Sequence, residues 1–294
     1  AGREESLAQL IEYLKIPCIS TTGTHVREGG EHLAGLMERA GLETRIMETA
    51  GHPAVYGEAK GPAGAPTLLV YGHYDVQPAE MGEGWTTHPF EPDIRDGRIF
   101  ARGSGDNKGQ HFAQVKAVEA YRATNTALPI NLKFLVEGEE EMGSTNLGAF
   151  IAENKDLLRA DIACSSDGSL HPSGRPTISL GCRGLLYIEL ISHGSGKDLH
   201  SGTYGGAMAS PFWRLIDAVR SLKDENGRVR VPGFYEAVRE VGAADLKAMS
   251  EIPDPASELT AALGEAGMRR IAEPGAFYEK TLIQPNLNIC GFQG

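Results

Sequence analysis

The sequence has little positive charge and no long apolar run. It holds 28 lysine and arginine residues against 39 aspartate and glutamate residues, which gives a formal net charge of −11. Because contacts with phosphate groups need a basic face, this balance argues against a nucleic-acid partner. No stretch reaches the roughly 20 apolar residues that span a bilayer, and no apolar signal core follows the opening residues. The sequence therefore predicts no membrane partner.

Cysteine is also scarce, and its copies are scattered. No two cysteines have the CxxC spacing that is typical of thiolate metal sites. The pattern favours reduced thiols and a cytoplasmic location. The chain otherwise has a globular composition, with 41% hydrophobic and 23% charged residues over 294 positions. This length is enough for one large domain or two modest ones. The cysteines are Cys18, Cys164, Cys182 and Cys290.

The first 180 residues alternate between helical and strand patterns. Apolar residues at helical spacing predict helices over 4–15, 28–40, 108–122 and 147–154. Strand patterns cover 44–48, 55–58, 67–71, 130–136 and 161–164, and the run at 67–71 is apolar throughout, as expected of a strand buried on both faces. Strands alternating with helices predict an α/β domain whose mostly parallel sheet is flanked by helices.

The pattern changes near residue 180. Gly184–Ser192 and Thr281–Ile289 are predicted as strands of one sheet, residues 211–222 as a helix, and residues 223–260 as charged and loop-rich. These features favour a second, α+β domain. We therefore expect domains over residues 1–180 and 181–294.

Several acidic and imidazole side chains follow predicted strands in the first domain. His73 and Asp75 come directly after the buried strand, and Asp106 lies in a glycine-rich loop before a helix. Taken alone, His73 could be a hydrogen-bonded loop histidine and Asp106 a helix N-cap. A carboxylate two residues from a histidine can also fix the ring of a metal ligand.

The segment LVEGEEEMGS carries the strongest single signal. An apolar strand runs straight into Glu137, Glu139, Glu140 and Glu141. Carboxylates this close repel one another unless a cation relieves them, although a solvated acidic turn is the simpler alternative. Asp167 follows the next strand and could alone be a turn aspartate.

Together these positions place His, Asp, Glu and Asp at one edge of one sheet, where ligands bind in α/β folds. Imidazole nitrogen and carboxylate oxygen suit zinc, and a set rich in carboxylates suits a pair of divalent ions. One of two adjacent glutamates can bind metal while the other takes a proton from the attacking water.

With these motifs in place, the sequence resembles the dinuclear metallopeptidases that include carnosinase, cytosolic non-specific dipeptidase, carboxypeptidase G, acetylornithine deacetylase and succinyl-diaminopimelate desuccinylase. The matching segments are GHYDVQP, GWTTHPFEP, GRIFARGSGDNKG, EGEEEMGS, SSDG and DLHSGTYGG. The last of them is most similar to the dipeptidase and carnosinase branch. The resemblance implies hydrolysis of the amide bond of dipeptides, with N-acyl amino acids as the alternative substrates.

The resemblance also implies a role for each site residue. His73 and Asp167 would bind one metal ion, Asp106 would bridge two, and Glu141 would bind the second. Zinc is the expected metal, with manganese or cobalt as alternatives. Glu140 would be the general base.

Two further positions take roles from the resemblance. Asp75 would lie behind the imidazole of His73. His200 would lie in a lid and dimerisation domain and reach the active site of the partner subunit in a homodimer, where it stabilises the oxyanion. A loop histidine bonded to Ser201 or Asp198 is the alternative for His200.

One element of the family pattern is not found. The family has a final metal-binding histidine after the chain returns from the lid, and this sequence stops at Gly294, inside the expected lid. We therefore expect an incomplete lid and a truncated catalytic domain. An inactive metal-binding or dimerisation fragment is the alternative from another class, although the presence of both Glu140 and Glu141 argues against it.

Overall fold

The protein is described here from a computed structural model, which covers residues 2–168, 170–171, 173–179, 181–269, 271 and 277–293. The chain divides into two compact units, Ala1–Ser169 and Leu170–Gly294. Within the described residues, no helix is both long and apolar enough to cross a membrane.

The first unit is built on a five-stranded sheet. Its strands are β1 (Glu43–Met47), β2 (Ala54–Ala59), β3 (Thr67–His73), β6 (Asn131–Glu137) and β7 (Ile162–Ser165). The order across the sheet is β1-β2-β6-β3-β7, with β2 antiparallel to both of its neighbours and β3 parallel to β6 and β7. Four strands therefore run in one direction, which confirms the mostly parallel sheet. A separate hairpin, β4 (Asp93–Arg95) and β5 (Arg98–Phe100), was not predicted.

Helices cover both faces of this sheet. The helices are α1 (Arg3–Lys15), α2 (Val26–Ala40), α3 (Lys108–Ala123), α4 (Leu147–Glu153) and α5 (Lys155–Leu158). Alternate strand residues face opposite layers. On one side, Val55 and Phe134 belong to a core with residues of α2 and α3. On the other, Tyr56 and Leu135 pack with Phe150 and Leu158. The predicted helices and strands of this unit are confirmed to within about two residues at their ends.

Within its described residues, the second unit consists of helices joined by long irregular segments. Its helices are α6 (Ser201–Tyr204), α7 (Pro211–Ser221), α8 (Ala243–Ser250) and α9 (Ala256–Met268). The predicted helix at 211–222 is confirmed. The segment 223–260, predicted as loop-rich, contains α8 and the start of α9.

Both strands predicted in the second unit are wrong. Residues 184–192 have no regular structure, and their large apolar side chains are exposed, from 46% for Leu190 to 85% for Leu185. Residues Glu279–Ile283 form a π-helical turn instead. An apolar, β-branched run favours a strand only where a neighbouring segment can share its hydrogen bonds. In the described part of this unit, no other segment pairs with either run.

Candidate metal centre

The carboxyl ends of three parallel strands meet at one edge of the sheet. His73 at the end of β3 is in register with Glu137 at the end of β6. On the other side of β3, β7 ends at Ser165. Ligands in open α/β sheets bind outside this edge. The topology therefore gathers the loops that carry the predicted site residues.

The imidazole of His73 is the centre of the cluster. Its Nε2 lies 3.1 Å from Asp106 Oδ1 and 3.3 Å from Asp167 Oδ2. The same nitrogen lies 3.9 Å from Glu140 Oε2. The imidazole is fully buried, whereas the side chain of Asp106 is 63% exposed. Four segments that are distant in sequence thus bring one imidazole and three carboxylates together.

Asp75 lies buried behind the imidazole. His73 Nδ1 is 3.0 Å from the backbone oxygen of Asp75 and 3.4 Å from its Oδ1. An Nδ1–H that donates on this side leaves Nε2 free to act as a ligand. The Asp75 carboxylate also accepts the backbone N–H groups of Glu140 (3.2 Å) and Glu141 (3.0 Å). One buried carboxylate therefore orients both the ring and the turn that bears the two glutamates.

The electrostatics of the cluster favour a cation. Burial lowers the pKa of His73. Its bond to Asp75 and the nearby carboxylates of Glu140 and Asp167 raise that pKa by more than burial lowers it, so the pKa is about 9. A proton on the imidazole thus relieves the repulsion among the carboxylates. A divalent ion does the same with a neutral imidazole as its ligand.

The donor set also fits a metal ion. One donor atom each from His73, Asp106 and Asp167 lie within 4.8 Å of one another. An imidazole nitrogen and two carboxylate oxygens are suitable ligands for zinc and similar divalent ions. Within the described residues, this is the one group of three or more such side chains with this spacing.

The two glutamates of the turn Glu140–Met142 face different neighbours. Burial raises the pKa of Glu140, His73 lowers it, and the carboxylates of Glu141 and Asp167 raise it again. Glu141 lies outside the group of three donors, and its Oε2 accepts a hydrogen bond from Gln77 Nε2 at 2.9 Å. Its role as ligand of a second ion remains a prediction.

The other two glutamates of the acidic segment are buried and have protein partners. Glu137 accepts from the hydroxyls of Tyr71 (2.5 Å) and Ser144 (2.8 Å). Glu139 accepts from the backbone N–H of His52 at 2.9 Å and of Asn146 at 3.3 Å. Through these hydrogen bonds the two carboxylates hold the acidic segment in place.

His200 belongs to the second unit. It is the N-cap of α6, where its Nδ1 accepts the backbone N–H of Gly202 at 3.1 Å. Its hydrogen bond is therefore local, as in the simpler alternative, but its partner is Gly202 rather than Ser201 or Asp198. The cross-subunit role of His200 remains a prediction.

Sequence reasoning missed the amide side chains around the cluster. Asn107 Oδ1 accepts the backbone N–H of His73 at 3.2 Å, and Gln77 holds both the carboxylate and the backbone oxygen of Glu141. Both residues lie inside the quoted motifs, within two positions of predicted site residues. That adjacency was the available signal, but it does not indicate which groups they contact.

Comparisons with known proteins agree with this geometry. The sequence profile described as peptidase family M20/M25/M40 matches residues 69–284. The Cys-Gly metallodipeptidase of Schizosaccharomyces pombe is 28% identical over 308 aligned residues, which cover 99% of this chain and 64% of that protein. The human Beta-Ala-His dipeptidase is 38% identical over 188 residues, or 63% of this chain and 37% of that protein.

Solved structures give the same result. An M20 family metallo-carboxypeptidase from Sulfolobus solfataricus superposes with a TM-score of 0.88 at 38% identity, over 99% of this chain and 67% of that one. The di-peptidase Dug1p from Saccharomyces cerevisiae superposes with a TM-score of 0.77 at 25% identity, over 99% and 64%. The chain thus spans between 37% and 64% of the two curated relatives described above.

The profile covers well over half of the sequence and includes every motif from the acidic segment to the loop of His200. The resemblance first noted in those motifs is confirmed. The chain belongs to peptidase family M20/M25/M40, whose members are metallopeptidases that use divalent metal ions.

Proposed function

We propose that the protein of which this chain forms part is a metal-dependent dipeptidase. The observation that carries the proposal is the cluster at His73, where two carboxylates lie within 3.3 Å of one imidazole nitrogen and Glu140 lies 3.9 Å from it. Support comes from the relatives, two of which are described as a Cys-Gly metallodipeptidase and a Beta-Ala-His dipeptidase. Their names favour dipeptides over N-acyl amino acids as substrates.

The metal ions in this proposal are two, with zinc expected and manganese or cobalt as alternatives. His73 and Asp167 would hold one ion, Asp106 would bridge both, and Glu141 would bind the second. Divalent ions at this edge supply Lewis-acid chemistry, which lowers the pKa of a water molecule and polarises an amide carbonyl.

Glu140 is the proposed general base. Its carboxylate faces the cluster and is 39% exposed, so a water molecule and a substrate can reach it. Burial raises its pKa above that of an ordinary glutamate, and a carboxylate can both take up and return a proton. Glu140 would take a proton from the attacking water and deliver it to the leaving amine. Asp75 would keep the backbone of Glu140 and the ring of His73 aligned throughout.

The assembly and the location are part of the same proposal. We expect a cytoplasmic homodimer that forms through the second unit, with His200 of each subunit donating a hydrogen bond to the oxyanion in the site of its partner. A donor of this kind typically contributes about 10²–10³ in rate.

A substrate panel with the full-length protein tests the proposal. Cys-Gly, β-Ala-His, other dipeptides and N-acyl amino acids are assayed after loading with zinc, manganese or cobalt, and bound metal is counted in parallel. We expect two ions per subunit and hydrolysis of dipeptides. Hydrolysis of N-acyl amino acids alone would favour the deacylase alternative, and a metal-loaded protein that cleaves nothing would contradict an enzymatic role.

The panel should also contain longer peptides with a free carboxyl terminus. The Sulfolobus structure is described as a metallo-carboxypeptidase and is 38% identical to this chain. That similarity favours removal of a carboxyl-terminal residue as a second candidate activity. Faster cleavage of tripeptides than of dipeptides would support it.

A further inference from the structure

Asp167 is held at the cluster although the strand before it lies at the sheet edge. Among the described residues, β7 pairs with β3 alone, and all four residues of β7 are exposed. The Asp167 carboxylate nevertheless lies 3.3 Å from the buried His73 Nε2. Strand pairing stops at Ser165, so other contacts must hold the residues that follow.

The backbone N–H of Asp167 donates to Ser165 Oγ at 3.3 Å, and two glutamines of α3 supply further contacts. Gln114 Nε2 lies 2.8 Å from Ser166 Oγ. Gln110 Nε2 donates to the backbone oxygen of Gly168 at 2.9 Å. The two bonds therefore fix the residues on either side of Asp167.

Gln110 is also linked to the other side of the cluster. The backbone N–H of His73 donates to Asn107 Oδ1 at 3.2 Å, and Asn107 Nδ2 donates to Gln110 Oε1 at 2.7 Å. Gln110 then donates to Gly168. We name this series from His73 through Asn107 and Gln110 to Gly168 the amide chain.

The direction of the amide chain is fixed by its two ends. It begins at a backbone N–H, which can only donate, and ends at a backbone carbonyl, which can only accept. Asn107 and Gln110 must therefore each accept on one side and donate on the other. A carboxamide group of the right length does both, whereas a carboxylate cannot donate.

We propose that Asn107 and Gln110 are positioning residues that set the spacing between His73 and Asp167. This inference rests on the metal centre proposed above, because the two residues that are spaced are its ligands. Groups that orient metal ligands typically contribute about 10- to 100-fold to metal affinity.

Gln114 offers a matched control. Its partner is a serine hydroxyl, which can donate as well as accept. A glutamate at position 114 can therefore keep the bond by accepting from Ser166. A glutamate at position 110 would face the carbonyl of Gly168 and lose the bond. The same substitution on one helix, four residues apart, thus has opposite expected results.

The experiment measures zinc affinity by chelator competition in the full-length protein. We expect Gln110→Glu and the uncharged variant Gln110→Met to bind zinc about 10- to 100-fold more weakly, and Gln114→Glu to bind zinc no more weakly than the unsubstituted protein. An added negative charge by itself would strengthen cation binding, so a loss in Gln110→Glu reports geometry. Unchanged or tighter binding by both Gln110 variants would overturn the proposal.

Hydrogen exchange of the metal-free protein tests the amide chain independently of whether the cluster binds metal. Backbone amides of residues 165–168 should exchange faster in both Gln110 variants than in Gln114→Glu, with the exchange of β3 and β6 unchanged as a check on folding. If the unsubstituted protein binds no zinc, the metal centre is wrong, and the amide chain is judged by exchange alone. Equal exchange at residues 165–168 in all variants would refute the amide chain.

Discussion

Glu140 is the residue on which the proposed proton transfer depends. Its carboxylate faces His73 at 3.9 Å and has a raised pKa. In Glu140→Gln the amide cannot accept a proton, so turnover should fall by about 10²–10⁴ while zinc content stays unchanged. Steady-state kinetics and metal analysis check both parts. Glu38→Gln, at an exposed position on α2, is the control, and near-normal turnover of a fully loaded Glu140→Gln protein would exclude the assignment.

His111 gives a prediction for stability against pH. Burial, with His73 and Lys108 nearby, lowers its pKa to about 3. The ordinary pKa of a histidine is about 6.5, so below that pH His111 is protonated in the unfolded chain but stays neutral in the folded protein. The stability present above pH 6.5 is therefore lost as pH falls towards 3. Urea unfolding should show this loss, at up to about 1.4 kcal/mol per pH unit, and a smaller loss in His111→Gln. If the free energy of unfolding fell equally with pH in the unsubstituted protein and in His111→Gln, this prediction would be wrong.

Among single residues, the sequence placed His73, Asp106, Glu140 and Asp167 at one edge of the sheet, and the three carboxylates lie within 3.9 Å of His73 Nε2, while the roles of all four residues stay predictions. Each follows or precedes an element whose type was clear from periodicity, and parallel strands bring their carboxyl ends together. The four glutamates of the acidic segment could not be separated in this way. Whether a carboxylate points to the cluster or is bonded within the loop depends on partners such as His52, which is 87 residues from Glu139.

The turn that bears Glu140 is an element with its own anchor. Glu139 is 4% exposed and accepts from His52 and from both nitrogens of Asn146. In Glu139→Gln an amide NH₂ would meet these donors, so the free energy of unfolding should fall by about 1–3 kcal/mol. Chemical denaturation checks this. Glu140→Gln, at a partly exposed site, should leave stability unchanged, and equal stability of the two variants would refute the anchoring role.

Elements were predictable where local pattern and tertiary pairing agree. The apolar run of β3 is a strand because β6 and β7 flank it on both sides. Residues 184–192 have an equally strong strand pattern but pair with no described segment. The periodicity of apolar residues in the sequence indicates which side chains can be buried in a sheet. It does not report whether a second strand is present to accept the backbone hydrogen bonds.

At the scale of the whole molecule, the proposed dimer predicts complementation between inactive subunits. His200→Ala should lower turnover by about 10²–10³ and leave metal content unchanged. Mixing it with Glu140→Gln subunits of the full-length protein should restore one site per mixed dimer, because one site then has both groups intact. Size-exclusion chromatography with light scattering establishes that dimers form. Confirmed mixed dimers without activity would contradict a cross-subunit role for His200.

The exposed run at residues 184–192 also has a colloidal consequence. It is rich in large apolar side chains, contains no proline and carries one charge, Glu189. Such segments template cross-β stacking when they are accessible. Kept in solution alone, this chain should therefore form thioflavin-positive aggregates whose lag time depends on concentration. Leu186→Lys, at a side chain that is 81% exposed, should lengthen the lag without changing the fold of the first unit. An unchanged lag would mean that another segment starts the assembly.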